Sequence, residues 1–148
     1  MNKEHTISPK LVGFTGNRHG FNTLQKNLFE YYVRKYRQFE FHHGDCVGCD
    51  SEAHNVVTKL ASSTTIAHPP ENPKQRAYCS ADIILPEKPY LVRNHDIVDA
   101  TDILIAVPGQ IDEVKRSGTW ATIRYARNQN KKILIIRPNG AVTTELPK

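Results

Sequence analysis

The chain has 148 residues, 39% hydrophobic and 24% charged, with 20 Lys and Arg against 15 Asp and Glu for a net charge of +5. That length fits one domain with a buried core, and the composition excludes a disordered or fibrous chain. No apolar run approaches the roughly 20 residues of a membrane span, and "MNKEHTISPK" lacks the apolar core of a signal peptide, so a cytoplasmic protein with three reduced cysteines is expected.

"KLVGFTG" (10–16) is a short apolar run that closes on glycine and reads as a buried strand. "FNTLQKNLFEYYVRKYR" (21–37) reads as a helix with Leu24, Leu28 and Tyr31 on its inner face. "FEFHHG" (39–44) is a second strand. A helix follows at 50–61, "DSEAHNVVTKLA", with Asp50 as N-cap and Ala53, Val56, Val57, Leu60 and Ala61 on one stripe. "STTIAH" (63–68) is a third strand, and it enters a proline-rich irregular segment, 69–89, of a length that compact domains tend to reserve for function. "YLVRNHDIVDAT" (90–101) is helical, and "DILIAVPG" (102–109) is the strongest strand. "GTWATIRYARNQN" (118–130) is a helix and "KKILIIRP" (131–138) a last strand.

This alternation predicts an α/β fold: a Rossmann-like three-layer sandwich, with a mainly parallel five-stranded sheet and helices on both faces. Apolar runs without polar alternation fit strands covered on both sides. In such sheets ligands bind beyond the carboxyl ends of the strands, where the strand order reverses. The segments that leave strands carry most of the glycines, and they should converge on one crevice.

"TGNRHG" (15–20) offers backbone amides at Gly16 and Asn17, and Arg18 can grip a phosphate through two parallel hydrogen bonds. "HHGDCVGCDSEAH" (42–54) crowds histidine, cysteine and aspartate together. A structural zinc site usually needs a second CxxC or a paired His motif, and Cys79 is the one further cysteine, so no metal is expected. The stretch reads instead as a loop bent at Gly44 and Gly48, with Asp45 or Asp50 accepting ribose hydroxyls. Pro108-Gly109 ends the strongest strand, and the charged insert 110–116 forms a rim. Ser117, Gly118 and Thr119 then open a helix whose first amides make an anion cradle. Trp120, the one tryptophan, either stacks on a base or fills the core, and core is the commoner fate. No GxSxG turn occurs, the histidines lack a matching nucleophile, and no cofactor is implied.

In this order, "GFTGNR", "HHGDCVGCDSEAH", "RNHDIV", and "DILIAVPG" with "SGTWATIRYAR" resemble the SLOG superfamily over about residues 10–137 of the single domain. That group includes the DNA-processing protein A family and the "lonely guy" phosphoribohydrolases. The resemblance implies nucleotide held across the strand ends, copies that pair as homo-oligomers, and Arg93 and Asn94 facing the pocket. Arg93 and Asn94 would meet a second phosphate or the base, and replacing Arg93 is expected to weaken binding while leaving folding intact. The hydrolases carry a Pro-Gly-Gly-x-Gly-Thr-x-x-Glu motif with a catalytic glutamate, and here the glutamate's position is Thr122. Hydrolysis would then call on Glu113, Asp45 or Asp50 for its carboxylate.

The expected function is binding of a phosphorylated ribonucleotide, an ADP-ribose or cyclic-nucleotide-type signal of the kind other SLOG domains sense in antiphage systems. The protein would act as a sensor or a sequestering protein. N-glycosidic hydrolysis of nucleoside 5′-monophosphates is the alternative. Single-stranded DNA binding, which the positive charge suits, is a second.

Overall fold

The computed structural model describes residues 9–148. Eleven elements follow in order: β1 (Leu11–Gly16), α1 (Thr23–Tyr36), β2 (Gln38–His43), α2 (Cys49–Leu60), β3 (Ser62–Ala67), β4 (Ile83–Ile84), α3 (Tyr90–Asp99), β5 (Ile103–Val107), α4 (Gly118–Asn128), β6 (Lys132–Ile136) and β7 (Val142–Glu145). The strands form one sheet in the order β4-β3-β2-β1-β5-β6-β7. Every pairing is parallel except that of β6 with β7.

Why the central strands are continuously apolar is visible in β5. Ile103, Ile105 and Val107 enter a core with Phe29 and Val33 of α1 and Ala53 and Val57 of α2. Leu104 and Ala106 point the other way, into a core with Val98 of α3 and Trp120, Ile123 and Ala126 of α4. Each face of the sheet is therefore covered by two helices, and alternation would leave a polar side chain in one of the cores. Burying each large apolar side chain is worth about 1.5–3 kcal/mol. The α1 side is the more aromatic of the two, with Phe14 edge-on to Phe29 at 5.3 Å. Trp120 is in the core, the commoner fate of a tryptophan.

Three expectations are corrected here. The sheet has seven strands, not five. β4 is two residues long and lies inside the proline-rich segment, too short for any periodicity to register. β7 does have a sequence signal: Asn139-Gly140 precedes it, and Gly140 takes φ 85° in the turn back from β6. Asn-Gly between two strand-like runs is a hairpin signature.

The inner face of α1 is Gln25, Phe29 and Val33, while Leu24 and Tyr31 are more than half exposed. The rotation arises because polar Gln25 is a structural tie. Its Nε2 donates to the Pro108 carbonyl at 2.8 Å and the Ile136 carbonyl at 3.1 Å, fastening α1 to the ends of β5 and β6.

The N-cap of α2 is Gly48, at φ 97°, and Asp50 lies within the first turn. Among the described residues, no helix is long and apolar enough to cross a membrane.

Candidate functional site

β1 connects through α1 to β2 on one side, whereas β5 flanks it on the other, so the strand order reverses between β1 and β5. Parallel strands bring the two carboxyl ends together, with Gly16 opposite Val107. The Asn17 amide and its Nδ2 both donate to the Val107 carbonyl, at 3.0 and 3.2 Å. Its Oδ1 accepts from the His19 amide at 2.9 Å. Asn17 thus shapes the turn, and a methyl group built on Gly109 would lie 3.5 Å from its Cβ. Arg18, next in the chain, is exposed and enters none of the ion pairs among the described residues.

Beyond β5, Ser117 caps α4, its hydroxyl accepting from the Trp120 amide at 3.2 Å. The Ser117 carbonyl accepts from the Ala121 amide at 2.9 Å. The amides of Gly118 and Thr119 have no protein acceptor among the described residues. The hydroxyl of Tyr90 lies over Gly118, so close that an added Cβ would sit 1.8 Å from it. Sequence reasoning missed Tyr90, and its place at the start of a helix carries no signal beyond its being aromatic.

The carboxyl ends of β2 and β3 hold the second group of candidates. Helix α3 runs back against the strand direction, so its first turn, with Arg93, lies at this edge. Nη1 of Arg93 donates to the Gly44 carbonyl and, at 3.5 Å, to the His68 carbonyl, while Nη2 lies 3.2 Å from the Cys46 Sγ. Asp50 Oδ2 is 4.0 Å from Nη1, and Nε is buried without a partner. Arg93 is 4% exposed and Asn94 is buried beside it. The guanidinium is engaged by the protein, so its loss is expected to cost stability, against the expectation that folding would not need it.

The carboxylates are also taken. Asp45, expected to face a ribose, is buried at φ 52°. It accepts from Arg76 Nε at 3.1 Å and from the Cys79 amide at 2.8 Å. Asp50 accepts from the Cys46 amide at 3.2 Å, and burial raises its pKa to about 6. Glu113 is paired on the outside of α4 with Arg124 at 3.0 Å and Arg127 at 2.9 Å, so the insert is fastened to that helix. Those two hydrogen bonds hold its pKa below the usual glutamate value. Thr122 is 3% exposed and its hydroxyl donates to the Gly118 carbonyl at 2.9 Å.

Two buried histidine chains lie under this edge. In the first, Glu40 Oε1, His42 and His68 follow one another at 2.7 and 2.8 Å. In the second, the Asp45 amide donates to His43 Nδ1 at 3.0 Å, so the neutral ring carries its proton on Nε2 and donates it to His54 Nδ1 at 3.2 Å. Burial, and then neighbouring positive charge, lowers His43 to about 3 and His68 to about 4, and burial also lowers His54.

Folded pKa values below the unfolded 6.5 mean that the unfolded chain takes up protons first, so stability falls as pH falls from about 6.5 toward 4. Asp50, raised, works the opposite way between 3.8 and about 6, one group against three. Urea titrations at pH 7 and pH 4.5 should show this loss, at about 1.4 kcal/mol per pH unit for each net proton.

A hollow of about 180 Å³ opens at the β3 end, lined by His68, Leu85, Pro86, Lys88, Arg93 and Asp96. A larger cleft of about 420 Å³ lies at the opposite edge, by Lys10, Phe39, Glu40 and Ser63, and touches none of the candidates from sequence.

No protein-family model and no curated protein sequence matches the chain. Among solved structures it is similar to the molybdenum cofactor binding protein from the phototrophic bacterium Rippkaea orientalis, with a TM-score of 0.66 and 20% identity, over 88% of this chain and 78% of that one. At that identity the likeness shows a shared fold.

Proposed function

We propose that this protein binds a phosphorylated ribonucleotide at the carboxyl edge of its sheet and does not cleave it. The observation that carries this reading is the pair of unaccepted amides at Gly118 and Thr119, opening α4 beside the β1–β5 reversal from which Arg18 projects. The amides and the positive end of the helix favour an anion, and an unpaired arginine supplies charge-assisted donors. In the hollow beyond β3, Lys88 is paired with Asp96 at 2.6 Å and Arg93 is held by backbone carbonyls, so an ADP-ribose-type signal would be gripped through its phosphates by Arg18 and the two amides.

N-glycosidic cleavage needs a carboxylate to assist the departing base or the oxocarbenium ion. Thr122 has none, and Asp45, Asp50 and Glu113 are each bound to donors of the protein itself. With the resemblance to the SLOG superfamily, this reading makes the protein a sensor or sequestering protein, and that resemblance alone implies a paired assembly. The fold shared with a molybdenum cofactor binding protein favours a second ligand, that cofactor, on the same edge.

Equilibrium dialysis against AMP, ADP-ribose, NAD and molybdenum cofactor, with the retained compound identified by mass, separates these readings. One intact nucleotide per chain is the expected result. Free base accumulating beyond the protein concentration would make the protein a hydrolase. Affinity for oligonucleotides that falls steeply with salt would make it a DNA binder. Arg18→Ala should weaken the retained nucleotide about 10- to 100-fold, the loss of hydrogen bonds worth roughly 1.5–3 kcal/mol. Because Arg18 is exposed, the melting temperature should not move.

A further inference from the structure

The geometry points to a zinc-class metal site formed by His43, His54 and Cys79. These residues come from the end of β2, from α2 and from the 69–89 segment, and no spacing in the sequence groups them. The fold brings one ligand atom from each within 4.8 Å of the others. Between the two rings, His43 Nε2 and His54 Nδ1 are 3.2 Å apart. On a tetrahedral zinc, bonds of about 2.0–2.3 Å put neighbouring ligand atoms about 3.3–3.8 Å apart, so the histidine pair already has that spacing and the cysteine must close by about an ångström.

The donor set is of the right kind. Two imidazoles and a thiol select zinc-like ions over magnesium or calcium, and three protein ligands leave a fourth position open. Both histidines are buried, which keeps the rings oriented, whereas Cys79 is partly exposed and gives an ion a route in. Asp45 and Arg76 frame the cysteine: the Asp45 carboxylate accepts from the Cys79 amide and from Arg76.

Loading has a defined proton balance. The Cys79 thiol releases its proton to solvent and becomes the thiolate ligand. The proton on His43 Nε2 passes to Nδ1, so the hydrogen bond from the Asp45 amide is lost. The bound ion replaces the single hydrogen bond between the two rings with two metal–nitrogen bonds and adds a sulfur bond. Its structural effect is to pin the 69–89 segment to β2 and α2.

Cobalt(II) is the probe, added to the full chain after chelator treatment. One cobalt per chain is expected, with tetrahedral visible absorption, a thiolate-to-cobalt charge-transfer band and displacement by zinc. Cys79→Ser should abolish the charge-transfer band and weaken zinc binding by more than the roughly 10- to 100-fold that losing an outer-shell partner costs. His54→Gln, with folding checked by circular dichroism, should weaken it similarly. No cobalt uptake by the wild-type chain, or uptake with unchanged absorption in Cys79→Ser, overturns the site and leaves the two histidines as a hydrogen-bonded pair.

Discussion

Arg93→Ala is expected to lower the stability of the protein by about 3–5 kcal/mol, the range for removing one partner of a buried charged network. The guanidinium is held by the Gly44 and His68 carbonyls and the Cys46 sulfur, and it is the cation nearest the buried Asp50 carboxylate. Alanine leaves those acceptors facing a cavity in the middle of the carboxyl edge. In a domain of this size each kcal/mol moves the melting temperature by about 2–4 °C, so a fall of roughly 6–20 °C is expected.

A cycle with Asp50→Asn isolates the ionic part. The second substitution removes the stranded charge, and the double variant should be more stable than the two single losses added together. Calorimetry of the four proteins measures it. A melting temperature within 2 °C or so of wild type in Arg93→Ala would mean that Arg93 is a spare cation at the edge, available to ligand as the sequence reading had it.

Gly48→Ala is expected to cost about 3 kcal/mol or more, from two independent sources. Gly48 sits at φ 97°, where a residue with a Cβ is strained by about 1–3 kcal/mol. The new Cβ would also lie 2.3 Å from the Arg18 carbonyl oxygen, a backbone atom that cannot rotate away. The first turn of α2 is tied to the same strand-to-helix turn, since the Cys49 amide donates to the Asn17 carbonyl at 3.1 Å. Relieving the clash therefore displaces Arg18 and Asn17 together.

Gly109→Ala is the control. Its Cβ would meet only the Asn17 side chain, at an ordinary 3.5 Å, and φ needs no glycine, so a change within about 0.5 kcal/mol is expected in urea titrations. Equal losses in the two variants would show that the Gly48 turn is not held as tightly as its contacts with Arg18 imply.

The contrast between these glycines shows what a sequence conceals. Both stand in loops that follow a strand and that the sequence sends to one crevice. Gly48 is required by a positive φ and by the backbone of a segment thirty residues earlier, whereas Gly109 touches one side chain. The same holds for the acids. Asp45 and Asp50 stand in the stretch that carries the motif, yet besides the nearby Cys46 amide their partners are Arg76, Cys79 and Arg93, which only the folded loop and α3 bring to them.

By itself the sequence determined the layered α/β fold and the edge at which to look. Uninterrupted apolar strands between helices can be buried only with both faces covered, and right-handed crossovers then send the strand-to-helix turns to one edge. Those are local properties, written in period and composition. The tertiary structure alone decided which polar side chains remain open there. Arg18 and the Gly118–Thr119 amides are left without protein partners among the described residues, while Asp45, Glu113 and Arg93 are claimed by groups 11 to 49 residues away, and Asp50 by the Cys46 amide and the distant Arg93. Satisfying a buried donor or acceptor depends on what the fold places within about 3 Å of it, and no spacing along a chain encodes that distance.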